Sequence, residues 1–406
     1  MLPVAEKVIF LTQFFYPEPA ATAQLLTELA VELVARGLSV TVYTAQPTYY
    51  ERQKLPRKET FRGVEIVRLF STRFSKQRLY GRLINSLTFL LAVLLRLLFS
   101  RDQRPLLIVT VPPFLGWVGW LVYLMRRRKY IFLVHDVYPD MAIQLGYIKK
   151  TGFIARIWEV LNQRVYNHAS AVVVLGDRMK QVIEKRIKNS ATSVEVIHNW
   201  ADGHFIMPRS KEENWFVQKH DLTGKTVILY SGNIGLFHDL ETIIEAADCL
   251  RGIRDLVFLF IGEGGKKGKI IRMVHQRGID NVMLLPYVSR HQLPYSLAAG
   301  DIGIVTLERG VEGFCVPSKL YYYLAAGQAI LALVGKSSEV ADIVEEWKCG
   351  FRVDQGDIDG VVNALKLWYK DRSLLEQMKS NARRCFEARF TKEKAVARYH
   401  QILKQL

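Results

Sequence analysis

Residues 7–12 read KVIFLT, an apolar core with no polar residue at alternate positions, and that missing alternation is the tightest constraint on what this chain can fold into. A strand apolar on both faces needs cover on both faces, which a parallel sheet wrapped in helices provides and a half-solvated antiparallel sheet does not. Residues 23–36 then place Leu25, Leu26, Leu29, Leu33 and Val34 on one helical face, Gly37 stops the helix, and residues 39–44 make a second strand. Strand, helix, strand in this rhythm is a βαβ unit. It continues with strands expected at 64–69, 106–110, 130–134, 171–175 and 194–197, and again at 226–230, 257–261, 282–285, 302–306 and 329–333.

A chain of 406 residues exceeds what one hydrophobic core normally supports, so two domains of about 200 residues are expected. Residues 201–225 have few apolar side chains in phase and read as the linker. The predicted fold is α/β, with one doubly wound, Rossmann-like parallel sheet in residues 1–200, another in 201–390, and a terminal helix in 391–406.

Charge divides unevenly between the halves. Residues 1–200 hold 28 Lys and Arg against 14 Asp and Glu, a balance of +14, which leaves +3 of the net +17 for the rest. No recognisable DNA- or RNA-binding motif accompanies the basic residues, so no nucleic-acid partner is expected. They border apolar stretches instead: Arg73, Lys76, Arg78 and Arg82 precede residues 83–99, and Arg126 to Lys129 follow residues 106–125. An anionic membrane surface accounts for both features, since each basic residue near acidic lipid contributes roughly 1 kcal/mol. Neither stretch reads as a span. The first is short and carries Asn85, Ser86 and Arg96, and Pro112-Pro113 split the second into a strand-sized and a helix-sized piece. The first nine residues lack the pattern of a secretion signal, and Cys249, Cys315, Cys349 and Cys385 lack metal-ligand spacing, the usage of a reduced, cytosolic protein.

Polar residues that directly follow buried parallel strands lie at the carboxyl edge of the sheet, where such folds hold their chemistry. His135-Asp136-Val137-Tyr138-Pro139-Asp140 follows strand 130–134, and the loop of residues 13–22, ending in Ala20, Ala21 and Thr22, follows the first strand. Ser231-Gly232-Asn233-Ile234-Gly235 follows strand 226–230, its glycines allowing a tight turn and close approach of a ligand. Residues 262–269 (GEGGKKGK) fail as a P-loop, because Ile270 follows Gly268-Lys269 and Glu263 stands where the first Gly is required. The richest stretch is residues 311–327, VEGFCVPSKLYYYLAAG. Pro317 suits the first turn of a helix and Gly327 its end, so unpaired N–H groups near Ser318 and the Lys319 ammonium converge on one loop. That is a place for a phosphate or diphosphate.

The P-S-K-L-Y-x-Y-L-A-A-G form of this stretch resembles the donor-site signature of retaining glycosyltransferases of family 4, especially the bacterial fucosyl- and fucosaminyl-transferase group that builds O-antigen, capsule and exopolysaccharide. The resemblance runs, with gaps, over nearly the whole chain. It implies the GT-B architecture: two facing doubly wound domains with a cleft between them, an acceptor on the first, a nucleotide-sugar donor mainly on the second, and a last helix crossing back to the first. It also implies glycosyl transfer with retention, the leaving diphosphate being stabilised by a helix N-terminus and cations. No cofactor or metal is expected, and no D-x-D stands on a strand-end loop to hold one.

Carried onto this chain, the resemblance gives His135 and Asp136 to sugar or acceptor contact, Glu312 to donor-sugar hydroxyls and Lys319 to the diphosphate. Ser231, Gly232, Asn233 and His238, the G-E-G element Gly262, Glu263 and Gly264, Tyr287 near the base, and Gly313, Pro317, Ser318 and Tyr322 are expected at the donor, with Ala21 and Thr22 at the acceptor. Two departures stand out. Where the family usually has a ribose-binding Glu this chain has Tyr322, a single hydrogen-bond partner where a carboxylate could accept two. Where many members set an Arg and a Lys against the diphosphate, this chain offers Asn233 and His238, which leaves most of the cationic stabilisation to Lys319.

The expected protein is a cytoplasmic enzyme at the inner face of the plasma membrane, held there through its basic first domain, that adds a sugar to a lipid-linked saccharide. Its rivals are a sugar-nucleotide epimerase of the same architecture, a nucleotide-binding protein without turnover, and a basic membrane or nucleic-acid binding protein. Salt-sensitive DNA binding without nucleotide-sugar binding marks the last.

Overall fold

The computed structural model describes residues 6–18, 20–47, 54–74 and 79–406. It divides into two units, residues 1–198 with 395–406, and residues 199–394.

The first unit is built on β1 (Lys7–Leu11), β2 (Ser39–Thr44), β3 (Lys58–Phe61), β4 (Val64–Arg68), β5 (Leu106–Val109), β6 (Tyr130–Val134), β7 (Ala171–Val174) and β8 (Ser193–Val196). They form one sheet in the order β3-β4-β2-β1-β5-β6-β7-β8. Only the β3–β4 pair is antiparallel. Strand β3, KETF, has no apolar run to announce it, because it is an edge strand with only one face partly covered. Its helices are α1 (Ala21–Ala35), α2 (Leu79–Phe99), α3 (Leu115–Arg126), α4 (Asp140–Gln144), α5 (Phe153–His168) and α6 (Asp177–Glu184).

Crossovers between parallel strands are right-handed, so their direction decides which face each helix covers. Helix α1 steps from β1 to β2 and takes one face; α2, α3 and α5 step the opposite way and take the other, with α2 packed on α3 and α3 on α5. The 83–99 stretch is therefore a helix with one buried face, on which Phe89, Val93 and Leu97 are fully enclosed. Residues 106–125 separate at the two prolines into β5 and α3.

The second unit contains α7 (Trp215–Lys219), β9 (Thr226–Ser231), α8 (Glu241–Cys249), β10 (Leu256–Ile261), α9 (Lys267–Arg277), β11 (Val282–Leu285), α10 (Leu293–Ala298), β12 (Ile302–Thr306), α11 (Lys319–Ala325), β13 (Ala329–Leu333), α12 (Glu339–Trp347), β14 (Gly350–Val353), α13 (Ile358–Lys370) and α14 (Arg372–Arg389). Its six strands are all parallel, in the order β11-β10-β9-β12-β13-β14. That is the doubly wound order 3-2-1-4-5-6, with the reversal between β9 and β12. In the first unit the corresponding reversal falls between β1 and β5.

Residues 201–225 are not a linker. Ala201 forms a parallel bridge with Thr391, and Ala201, Ile206, Phe216, Val217 and Leu222 are buried within the second unit. Their apolar side chains are out of phase because most of the segment has no regular structure. The last helix, α15 (Lys392–Leu403), buries Ala395, Val396, Tyr399, Ile402 and Leu403. In the first unit Arg398 on this helix pairs with Glu195 at 3.0 Å.

Strand β14 was not expected, its four residues GFRV being only partly covered at the sheet edge. It pairs in register with β13, Gly350 opposite Ile330. A Cβ on Gly350 would lie 1.9 Å from the Ile330 carbonyl oxygen, so the pairing depends on glycine there. Gly350→Ala is expected to lower stability by about 2–3 kcal/mol in urea unfolding. Gly252→Ala, where a Cβ meets nothing within 4 Å, is expected to leave it nearly unchanged.

Candidate functional site

In the second unit the expected donor residues gather at the β9/β12 reversal. The loop after β9 and the loop after β10 are pressed together backbone to backbone: a Cβ on Gly262 would lie 1.9 Å from the Gly232 carbonyl oxygen, and one on Gly264 2.3 Å from that of Ile234. Both residues also hold φ near +155°, which suits glycine alone. The glycines of this region thus serve the approach of one loop to another. The Ile234 N–H donates to the Glu263 carbonyl (2.8 Å), and the Tyr287 hydroxyl reaches the same oxygen at 3.4 Å. The Glu263 carboxylate turns away to Lys267, 2.5 Å.

Helix α11 begins at Lys319, with Ser318 as its cap residue but without a side-chain capping bond. The N–H groups of Leu320 and Tyr321 turn back onto the carbonyls of Pro317 and Ser318. Only N–H groups at or before Lys319 are left to face a ligand, fewer than the sequence suggests. Tyr321 and Tyr323 point into the core while Tyr322 lies on the more open side. The Tyr323 hydroxyl accepts from the Ser231 N–H at 2.7 Å and so fixes α11 against the end of β9.

The Lys319 side chain leads back into the unit, its ammonium 3.6 Å from the centre of the Tyr230 ring. Its Cε lies 3.8 Å from where a Cβ of Gly232 would be. That ammonium is buried with no hydrogen-bond partner among the described residues. Burial pushes its pKa well below the ordinary lysine value. Tyr230 donates its hydroxyl proton to the Asn233 carbonyl (2.6 Å) and lies 2.8 Å from His238 Nδ1, which then carries the proton of that contact. Burial first, and then the Lys319 charge, hold His238 well below its usual pKa, so it adds no second cation. Among the described residues no cluster of three or more His, Cys, Asp or Glu could hold a metal ion.

Glu312 is occupied by donors from three neighbouring loops. Its carboxylate accepts from the N–H of Gly310 (2.7 Å) and Gly335 (3.3 Å) and from Gln355 Nε2 (2.7 Å). Gly313 turns beside it with φ +79°. In this arrangement Glu312 shapes the loop that leads to Pro317.

In the first unit, Thr22 lies in the first turn of α1 rather than in the preceding loop, and so does Ala21. The Thr22 hydroxyl lies 3.4 Å from His135 Nδ1. The N–H groups of His135 and Asp136 both point to Thr110 Oγ1, at 2.9 and 3.4 Å. The ends of β1, β5 and β6 thus bring Thr22, Thr110, His135 and Asp136 together. Burial lowers His135 to a pKa of about 4 and raises Asp136 to about 6, so His135 is neutral at pH 7 and Asp136 is poised to titrate.

Two family models match the chain: Glycosyl transferase 4-like domain over residues 21–200 and Glycosyl transferases group 1 over residues 211–385. Between them they take in most of both units. The chain belongs to the glycosyltransferases. This glycosyltransferase is 32% identical to WbjE of Pseudomonas aeruginosa, a candidate glycosyltransferase, over 54% of its own length and 56% of that protein's. It is 28% identical to WcaI of Escherichia coli, a candidate colanic acid biosynthesis glycosyl transferase, over 82% and 84% of the two chains. Its fold matches Anabaena HepE, solved with UDP and glucose, at a TM-score of 0.75 and 15% identity, covering 99% of this chain and 100% of that one. The fold is GT-B.

Sequence reasoning passed over Tyr230, Tyr323, Thr110 and Lys266. Lys266 donates to the His238 carbonyl (2.8 Å) and Glu241 (3.0 Å) and pairs with Glu308, tying three loops together. Only the threonine ending the 106–110 strand and the alternate burial of the Y-Y-Y run carried a readable signal.

The sign of the Asp136 shift sets a pH dependence. With a folded pKa near 6 and an unfolded value near 3.8, its ionisation opposes folding most fully above pH 6 and not at all below both values. Asp136→Asn is expected to raise stability at pH 8, by at most about 3 kcal/mol, with the gain fading toward pH 4. Thermal unfolding across that range measures it, and a gain that grows with acidity would contradict the assignment.

Proposed function

We propose that this glycosyltransferase moves a sugar from a nucleoside-diphosphate sugar held by the second unit to a lipid-linked saccharide, with retention, in cell-surface polysaccharide synthesis. The observation that carries the reading is the buried, unpartnered Lys319 ammonium at the β9/β12 reversal. A diphosphate supplies the missing counter-charge, and at about 4 Å with an effective dielectric near 20 one such pair attracts by roughly 4 kcal/mol before desolvation. As the sugar–phosphate bond breaks, negative charge grows on the leaving group, and a cation fixed in advance stabilises that state most. His135, neutral and held by Thr22, and Asp136 are the groups to meet the sugar or acceptor. The assignment of WcaI to colanic acid biosynthesis supports a polysaccharide acceptor, and the UDP in HepE supports a nucleotide donor. The acceptor is presented at the cytoplasmic face of a membrane, where the basic first unit meets it as a peripheral protein.

Lys319 makes the reading testable through opposite signs. A lysine whose folded pKa is depressed loses stability as pH falls below its unfolded value near 10.4. Lys319→Met is therefore expected to leave the melting temperature of the free protein unchanged or higher at pH 7, and to abolish the thermal shift given by UDP-, GDP-, ADP- or dTDP-sugars. Donor affinity unaffected by Lys319→Met would overturn the assignment.

Tyr322 tests the departure from the family pattern. Tyr322→Glu should keep or tighten donor binding; its loss in a folded protein would show that the phenol itself is required. Retention is read from the product: the new glycosidic bond should have the anomeric configuration of the donor by NMR.

A further inference from the structure

The first unit turns an unusual amount of hydrocarbon outward. On α2, Tyr80, Leu83, Leu87, Leu91, Leu95 and Phe99 recur three or four residues apart and are between 43% and 84% exposed. Alongside, α3 adds Leu121, Leu124 and Met125 near its C-terminal end. Single exposed leucines are ordinary, but a stripe along six turns of helix, joined to its neighbour, calls for an occupant.

Charge narrows the occupant. Arg82 and Arg96 on α2, Arg101 beyond it and Arg127 at the end of α3 are exposed, and neither helix contains an Asp or Glu. Of the basic cluster ahead of α2, Lys76 and Arg78 lie outside the described residues. A second copy of this chain would set cations against cations with no carboxylate on either helix to answer them. An acidic lipid surface complements them and also admits the apolar stripe.

Length and composition would allow α2 to cross a bilayer. Its other face forbids it in this fold: Phe89, Val93 and Leu97 are closed into the core, and the Asn85 side chain is bonded at 2.9 Å to Thr72 Oγ1 and to both the N–H and the carbonyl of Phe74. Only the outward half of the helix can leave water without unfolding the unit.

We propose that α2 and the C-terminal half of α3 form a docking surface for an anionic bilayer, α2 lying flat with its leucine stripe below the headgroups and its arginines among them. The purpose assigned to this surface rests on the membrane-presented acceptor proposed above; the surface itself rests on exposure and charge.

The full chain is floated with vesicles of phosphatidylcholine alone and of equal parts phosphatidylcholine and phosphatidylglycerol. It should bind the acidic vesicles, release them in high salt, and leave the neutral ones nearly free. Leu87→Gln with Leu91→Gln, both 57% exposed, should reduce binding roughly tenfold, as should Arg82→Gln with Arg96→Gln and Arg101→Gln. Donor thermal shifts, measured on the same variants, should be unchanged. Equal binding to both vesicle types, or variants that bind as the parent does, would overturn the surface. So would retention through an alkaline carbonate wash, which would make α2 a span, or a dimer in scattering that Leu87→Gln dissolves, which would give the face to a second copy. Loss of the donor shift in the parent chain, with flotation intact, would instead count against the glycosyl-transfer reading.

Discussion

Parallel strands end together, and the placement of the chemistry here depends on that. Apart from β3, neighbours run the same way, so every parallel strand delivers its outgoing loop to one edge of the sheet, and the reversal of strand order opens a space between two of those loops. In the second unit the reversal lies between β9 and β12, and the loops of β9, β10 and β12 are fixed on one another before any ligand arrives. Gly262 and Gly264 let the first two touch, Lys266 ties all three, and Tyr323 fastens α11 to the end of β9. A site assembled this way is held by backbone and by neighbours' side chains, which is what positioning a reactive phosphate requires.

Lys266 and Lys319 are the same side chain with its charge answered in one place and left without a hydrogen-bond partner in the other. Burial alone would lower the pKa of Lys266, but its hydrogen bonds to Glu308 and Glu241 outweigh that and hold it above the ordinary value. Its charge is already answered. Lys319, buried and with no hydrogen-bond partner among the described residues, has the face of Tyr230 opposite it. A cation–π contact offsets part of the desolvation of an ammonium, on the order of 2 kcal/mol when dry, and leaves the remainder unmet. The free protein therefore carries a local destabilisation at Lys319. His238, kept neutral beside it, does not spread the charge.

How much of this could be read from the sequence follows from what kind of interaction each feature depends on. The buried parallel strands declared themselves because burial on both faces leaves a continuous apolar run, as in residues 7–11 and 130–134. Strands β3 and β14 did not, since an edge strand needs only part of its surface apolar. Lys319 was legible from Pro317, Ser318 and Gly327, local residues that set a helix start and stop. The groups that give it meaning were not: Tyr230 is 89 positions away, and Thr110 lies 25 before the His135 N–H it receives. Glu312 was the opposite case, a carboxylate read as a ligand that three donors of its own surroundings already engage.

Helix α2 carries the same lesson one step further. Its composition is common to a membrane span, a core helix and an interfacial helix, and hydropathy alone does not separate them. The decision lies in one polar residue and one face. Asn85 spends its amide on Thr72 and Phe74, which pins the helix to the chain that precedes it, and Phe89, Val93 and Leu97 close the following turns into the core. A helix anchored along one side can present only the other, and on this one the other side is a stripe of leucine. In the docking proposed above, the free energy that a spanning helix would gain from lipid on all sides is reduced to that of a stripe, which would make association reversible and sensitive to lipid charge. The peripheral enzyme proposed above, with its acceptor anchored in the bilayer, would need both properties, because it would have to reach the surface and also leave it.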